Sequence, residues 1–316
     1  MLLRILANAL QVLVVLLLSP LVAGVLDRLK EIIQSKRGPS VLQPYRDLWK
    51  LFHKDEVLSD RSSWLFRATP YVVFVTPIFV TLLIPVLTNY PLFLAFMADM
   101  VGVGFVLALG GFFATLGAVD TGNPYGPMGA SRTRMVAFLA EPVFVIVFFT
   151  VSFVAGSTIP YIVQAHWALS AAIFLSPTHV LLMAAFFLLI LAEGGRIPVD
   201  SPTGHVELAM IDESKSLEYS GTGAALMKWG GYMKLLVLMC VFLNVLVTPW
   251  GLASGQTLSA VALAIPFVAL KVLILILALV VVESSLAKLR LFRISEFLGA
   301  AFVTCVAAMI TQLFKV

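Results

Sequence analysis

Eight stretches of this chain are nearly free of charge and long enough to approach a bilayer's thickness, which leaves few folds open. They cover residues 5–26, 69–89, 100–119, 136–156, 179–193, 232–250, 257–282 and 297–314. All but the short fifth come near the roughly 20 apolar residues that cross the hydrocarbon core as a helix. Barrel strands need only about ten residues of alternating polarity, so the expected fold is all-α, a single polytopic domain of eight transmembrane helices over residues 1–316. Composition agrees: 60% of residues are hydrophobic and 12% charged, where soluble domains average about 25% charged. No single soluble core buries that much apolar surface, and the excess must face lipid. The first stretch is longer than the apolar part of a leader peptide and no small-residue cleavage site follows it, so it is read as a helix.

Basic residues fix the expected orientation. The loop 27–68 carries Arg28, Lys30, Lys36, Arg37, Arg46, Lys50, Lys54, Arg61 and Arg67, and the loops after the third, fifth and seventh spans carry Arg132, Arg134, Arg196, Lys215, Lys228, Lys288, Arg290 and Arg293. The loops near 90–99, 157–178 and 251–256 hold no Lys or Arg. Cytoplasmic loops are enriched in these residues, so the basic loops are expected in the cytoplasm and both termini outside, with Arg4 and Lys315 the minor exceptions. The net charge of +4 comes from these loops and speaks for topology rather than for nucleic acid.

Several chemistries find no support. Cys240 and Cys305 both lie in apolar spans, where a free cysteine behaves as a small hydrophobe. The four histidines are scattered without metal-ligand spacing. No G-x-x-x-x-G-K-[ST] phosphate loop occurs, and the GTG at 221–223 lacks the preceding strand and third glycine of a dinucleotide site. No redox centre, metal or nucleotide is expected in this chain.

Charge at membrane depth is the informative feature. Glu141 lies inside the fourth span before Pro142, Glu193 ends the fifth, Lys234 opens the sixth, Lys271 sits near the middle of the seventh and Glu283 closes it. An ionisable group at mid-bilayer costs about 2.5–3.5 kcal/mol on insertion scales, so these groups are expected to be paired, hydrated or neutral. Snorkelling explains end groups but not Lys271, about 18 Å from the end of its span at 1.5 Å per residue. With the orientation above, four of the five fall in the cytoplasmic half, as a proton path or ion site there would require. The loop 194–231 adds Asp200, His205, Glu207, Asp212, Glu213 and Glu218 at its mouth. Gly194-Gly195 and Pro198 break the preceding helix, and such irregular backbone is tolerated only against protein or a wet cavity.

The first loop, KRGPSVLQPYRDLWKLFHKDEV at 36–57, predicts a short amphipathic helix with Leu48, Leu51 and Phe52 opposed to Arg46, Lys50 and Lys54. It suits an anionic lipid surface or a platform for a soluble partner equally well.

Together with DTGNPYGPMGASR (120–132), AEPVF, EGGRIPVD and LEYSGTGAALMKWG (217–230), that loop resembles the H-subunit family of respiratory complex I. It is most similar to that family's relatives in group 4 membrane-bound nickel–iron hydrogenases, of the formate hydrogenlyase and hydrogenase-4 type. The resemblance spans nearly the whole chain. It implies a non-catalytic subunit of the cytoplasmic (inner) membrane that seats hydrogenase large and small subunits and a ferredoxin-like iron–sulfur subunit, with the nickel–iron centre and the clusters in those partners. It also implies a link through buried charges to antiporter-like membrane subunits that move protons or sodium. Arg37, Arg46, Asp47, Lys50, Arg132 and Arg196 are the expected docking residues; Glu141, Glu193, Asp200, His205, Glu207, Asp212, Glu213, Glu218, Lys234, Lys271 and Glu283 are the expected charge pathway. Two departures qualify it. Quinone-using relatives run RRGPNRVGPxGxLQP where this chain passes from Gly38-Pro39 through Ser40-Val41 to Leu42-Gln43-Pro44, which favours the hydrogenase side. The family's acid-rich run is replaced by Ser201-Pro202-Thr203-Gly204-His205, keeping Glu207. The alternatives are a quinone-site subunit of complex I and a stand-alone cation transporter, against which the absence of an inverted repeat counts.

Overall fold

A computed structural model of the chain describes residues 2–59, 62–91, 94, 97–168, 174–200, 211–255 and 257–314. His205 and Glu207 lie outside the described residues. The described residues form helices α1 (Leu2–Ile33), α2 (Gln43–Phe52), α3 (Trp64–Leu83), α4 (Met100–Val119), α5 (Tyr125–Ala155), α6 (Pro160–Ala168), α7 (Pro177–Glu193), α8 (Gly221–Cys240, continued as a π-helix over Val241–Val247), α9 (Leu258–Ser285) and α10 (Ile294–Leu313). Seven helices are long and apolar enough to cross a membrane, and α7 is a shorter apolar helix of 17 residues. The chain is an all-α membrane protein.

Local chemistry sets the boundaries. Asp99 caps α4 by accepting the Val101 amide at 3.2 Å, Ser63 caps α3 and Ser176 caps α7, as short oxygen-bearing side chains do at orphan N–H groups. The second span, expected to reach residue 89, stops at Leu83. Pro85 disfavours helical backbone at Ile84, which is extended at φ −101°, ψ 154°. Segment 84–89 then runs non-helically, Ala253 donating to the Leu87 carbonyl and Asn89 to that of Ala253. The fourth span, expected from 136, belongs to a helix that already begins at Tyr125; the first turns of α5 carry the GASR sequence out of the apolar region. α6 falls in a stretch expected to be loop.

α3 packs between α4 and α8, α4 against α5, α10 against α7 and α5, and α1 against α8 and α9. One hydrophobic core runs through most of them, with Phe148, Phe186, Leu189 and Met233 almost fully buried. α2 lies across this bundle with its apolar side down: Leu48 is 6% exposed and Phe52 meets Trp229 edge-on at 6.1 Å. Its amphipathic register follows the sequence, and it leaves Arg46, Trp49 and Lys50 exposed.

Candidate functional site

The site begins where α7 stops. Gly195 adopts φ +59°, a region open to glycine at little cost. Its amide bonds the Ala192 carbonyl at 3.3 Å and the Arg196 amide reaches Leu191 at 3.0 Å, the paired bonds of a Schellman ending. The chain therefore turns under the helix and carries Arg196 inward. Arg196 is 6% exposed, 3.0 Å from Asp27 and 3.8 Å from Glu283. Expected as a docking residue, it is instead one of four members of a largely buried knot. Lys30, 3.4 Å from Glu283, completes that knot on α1. Glu283, expected at a helix end, is 1% exposed, and neither its oxygens nor Lys30 Nζ finds a hydrogen bond among the described residues. Sequence reasoning counts Lys30 only for topology and passes over Asp27.

The remaining charges pair around two adjoining recesses between α4, α5, α8 and the end of α7. Glu193, Gly195, Asp200, Asp212, Lys215 and Lys234 line both. Lys234 Nζ meets Glu193 at 2.6 Å. Asp200 accepts from Lys288 at 2.8 Å and from the Ile211 and Asp212 amides at 3.1 and 2.9 Å, tying the two ends of the acidic loop together. Asp212 pairs with Lys215. Withdrawal from water pushes the Asp212 carboxyl up, but Lys215 and then Lys234 outweigh this and hold it below the usual carboxylate value. Glu213 has no base within ion-pair distance among the described residues; partial withdrawal from water, and secondly the neighbouring Asp212, raise its carboxyl despite the pull of Lys228.

Two charges sit differently from the expectation. Glu141 lines the first recess with Glu193 and Lys234, but its ion pair is with Arg134, two helix turns before it, at 3.5 Å, and its side chain is 39% exposed. Lys271 leaves the group altogether. Its ammonium donates to the carbonyls of Thr248 (2.8 Å) and Trp250 and to Asn244 Oδ1 (3.3 Å), at the opposite end of α8. The chain leaves the π-helix there, and the Thr248 and Trp250 carbonyls just beyond it attract the cation, a pull invisible in a hydropathy profile.

Above the recesses the loops are stitched to one another. The turn 213–216 lies against α5 at Gly129, where an added Cβ would collide with Ser214 Oγ; only a glycine admits that approach. Asn123 donates to Glu218. Tyr219 stacks on Phe66 at 4.0 Å and donates to its carbonyl at 3.2 Å. Ser220 bonds Val57 in both directions, at 2.8 and 3.0 Å, and Thr222 bonds Glu56 at 2.9 Å. Arg37, Arg46 and Lys50 are exposed on this face, Arg132 is half-buried, and Asp47 accepts from Gln43 at 2.8 Å. Glu56 and Phe66, Asn123 and Gly129, and residues 214–222, far apart in sequence, thus meet over one set of ion pairs.

The NADH dehydrogenase family model matches residues 7–313. Formate hydrogenlyase subunit 4 of Escherichia coli (strain K12) is 34% identical over 307 residues, 96% of this chain and 97% of that protein. Hydrogenase-4 component C of the same strain is 31% identical over 292 residues, 92% of this chain and 90% of that one. Among solved structures, a chain of the membrane-bound sulfane sulfur reductase, an archaeal respiratory membrane complex, superposes with TM-score 0.82 at 18% identity, covering 98% of this chain and 99% of that one; this is a likeness of fold.

Proposed function

The chain belongs to the NADH dehydrogenase family, on the branch of group 4 hydrogenase membrane subunits related to complex I, and on that premise we propose that it anchors a peripheral nickel–iron hydrogenase arm and passes charge from it into the membrane. It is a multi-pass membrane subunit of a hydrogenase-like or complex I-like respiratory assembly. The finer reading gives it three partners on the loop face, namely hydrogenase large and small subunits and a ferredoxin-like iron–sulfur subunit, with antiporter-like subunits beside it in the membrane.

One observation carries the reading. The loops bearing the family's sequences form a single bonded surface that includes the Asp212–Lys215 pair, and against it lie Glu193–Lys234, Asp200–Lys288 and the Asp27–Arg196–Glu283–Lys30 knot. The nickel–iron and iron–sulfur groups belong to the partners and supply the electron chemistry. This chain's residues do the rest. Arg37, Arg46 and Lys50 present positive charge to a docking protein, which sets encounter and register. A change of charge above the loops acts on Asp212 and Glu213, whose proton affinities are already set by neighbours. Glu193 and Lys234 form the next exchangeable pair inward, and Glu141 shares their recess. An anchor without a coupling role would have no need of the Lys30–Glu283 pair, both of whose side chains are buried, since buried pairs seldom repay their desolvation.

The test is Glu193→Gln in the purified complex. Electron exchange between hydrogenase and an artificial dye should be unchanged, while turnover with the physiological donor, or the ion gradient it builds in vesicles, falls several-fold. A Gln variant with undiminished turnover and gradient would leave this chain as an anchor only.

A further inference from the structure

Far from the loops, a second set of buried polar side chains converges on the stretch 244–250. Asn244, 1% exposed, donates to the Pro85 and Val86 carbonyls, both at 3.0 Å. Gln164 on α6 donates to Pro249 O at 2.7 Å, the His179 ring on α7 meets Leu246 O at 3.0 Å through Nε2, and Lys271 comes in from α9 as described. Three polar atoms beside this stretch have no partner among the described residues: Gln164 Oε1, Trp167 Nε1 and His179 Nδ1. Their residues are 2%, 1% and 0% exposed. They are neighbours, since Gln164 and Trp167 are three apart on α6 and so share a face, and the Trp167 and His179 rings lie 4.1 Å apart.

Their chemistry is complementary to one ligand. Facing a carbonyl, His179 Nε2 must carry the proton, so the neutral ring leaves Nδ1 as an acceptor. Gln164 Oε1 is an acceptor and Trp167 Nε1 a donor. Two acceptors and one donor are what a water molecule satisfies with its two hydrogens and a lone pair, and buried waters make about three such bonds. A metal cation is poorly suited, because the indole N–H can only donate. Buried polar atoms left unpaired destabilise a fold, and native proteins avoid them.

We propose that Gln164, Trp167 and His179 form a water-binding site against residues 246–250, and that this site gives the Lys271 ammonium a hydrated route to the membrane face opposite the loops. The proposal is independent of the hydrogenase assignment. It adds a protonatable group with its own access on the far side, where the coupling cluster has none. The two polar regions are separated along α8 by residues 235–243, all buried and apolar, about 15 Å at 1.5 Å per residue between Lys234 and Asn244. The chain therefore holds two wet halves with a dry layer between them.

Hydroxyl-radical footprinting of the intact wild-type complex tests the site without a substitution, because radicals form from bound water. Trp167 should be oxidised within an order of magnitude of exposed Trp250 and several-fold above dry Phe186, after correction for intrinsic reactivity; protection equal to that of Phe186 overturns the proposal. The route is tested with Lys271→Cys in vesicles of known orientation and a membrane-impermeant cationic thiol reagent, the parent chain with its buried Cys240 and Cys305 serving as the unreactive control. Labelling from the far face alone supports the route. No labelling, or labelling only from the loop face, refutes it.

Discussion

Removing the Glu283 carboxylate should be among the most damaging single changes in this chain, and removing its partner as well should undo the damage. The knot on α1, α9 and the α7 turn holds two acids, Asp27 and Glu283, and two bases, Lys30 and Arg196, so its charge sums to zero. Glu283→Gln leaves one uncompensated positive charge beside Lys30, which is itself 3% exposed. Breaking a buried pair from one side costs about 3–5 kcal/mol, roughly two to four powers of ten in the folded ratio at 1.36 kcal/mol per decade. Lys30→Met with Glu283→Leu behaves differently. It leaves Arg196 with Asp27 at 3.0 Å and replaces a 3.4 Å contact that lacks hydrogen-bond support with apolar side chains of similar size. Such swaps are neutral or stabilising by about 1–4 kcal/mol. The assay is pulse proteolysis of the purified complex across an SDS titration in mixed micelles, scoring the surviving fraction of this subunit. Glu283→Gln should unfold at much lower SDS and the double variant at or above the wild-type midpoint. A double variant as weak as the single would refute the argument. The double variant should also retain dye-linked electron exchange while losing coupled turnover, since the knot is kept at a cost to stability.

Other outcomes follow from the same contacts. Glu141→Gln should barely alter stability, its pair with Arg134 being an exposed one worth about 0–1 kcal/mol, yet lower the ion gradient several-fold; an undiminished gradient would make it structural. Reversing Arg37, Arg46 and Lys50 together to Glu should release the soluble arm on a sizing column while the subunit still inserts, and an intact complex would favour α2 as a lipid-facing helix. Gly129→Ala should displace the turn 213–216 and raise hydrogen exchange there without disturbing α10. The depressed Asp212 carboxyl contributes stability that is complete above its unfolded value of 3.8 and lost as pH falls through the lower folded value. Hydrogen exchange across 211–217 should therefore rise below about pH 4 in the wild type but show no such step in Asp212→Asn.

The sequence discloses the spans unevenly and the direction of their side chains poorly. The third span is legible to the residue, 100–119, because Asp99 marks its start and polar residues mark its end. The second reads too long because Ile84, Val86 and Leu87 continue its apolar run, and that run masks the stop that Pro85 imposes. Glu193 and Lys234 both read as span ends, and they pair. Lys271 reads as lying near the middle of its span, and which way it reaches depends on the π-helix end at 247, a backbone detail without a hydropathic signature. Arg196 looks like a surface charge because nothing in the sequence shows that a Schellman turn will tuck it under α7. Lys30 is legible in principle: Asp27 and Lys30 are three apart on one face, next to an apolar run.

The Glu193–Lys234 bond also has a mechanical meaning. Glu193 is the last residue of α7 and Lys234 lies on α8, whose π-helical end also meets α7, with Phe242 stacked on Phe186 and the Leu246 carbonyl on the His179 ring; elsewhere α7 leans on α10 and α5, whereas α8 belongs with α3 and α1. The bond is thus a second fastening between the two helices, at the loop end, some way from their contact at the π-helix. Neutralising either member would leave the π-helix contact as a pivot, so protonation at the recess would be felt as a tilt of α7 against α8. A charge arriving at one lysine could in this way be handed on as displacement, without any proton crossing the dry layer.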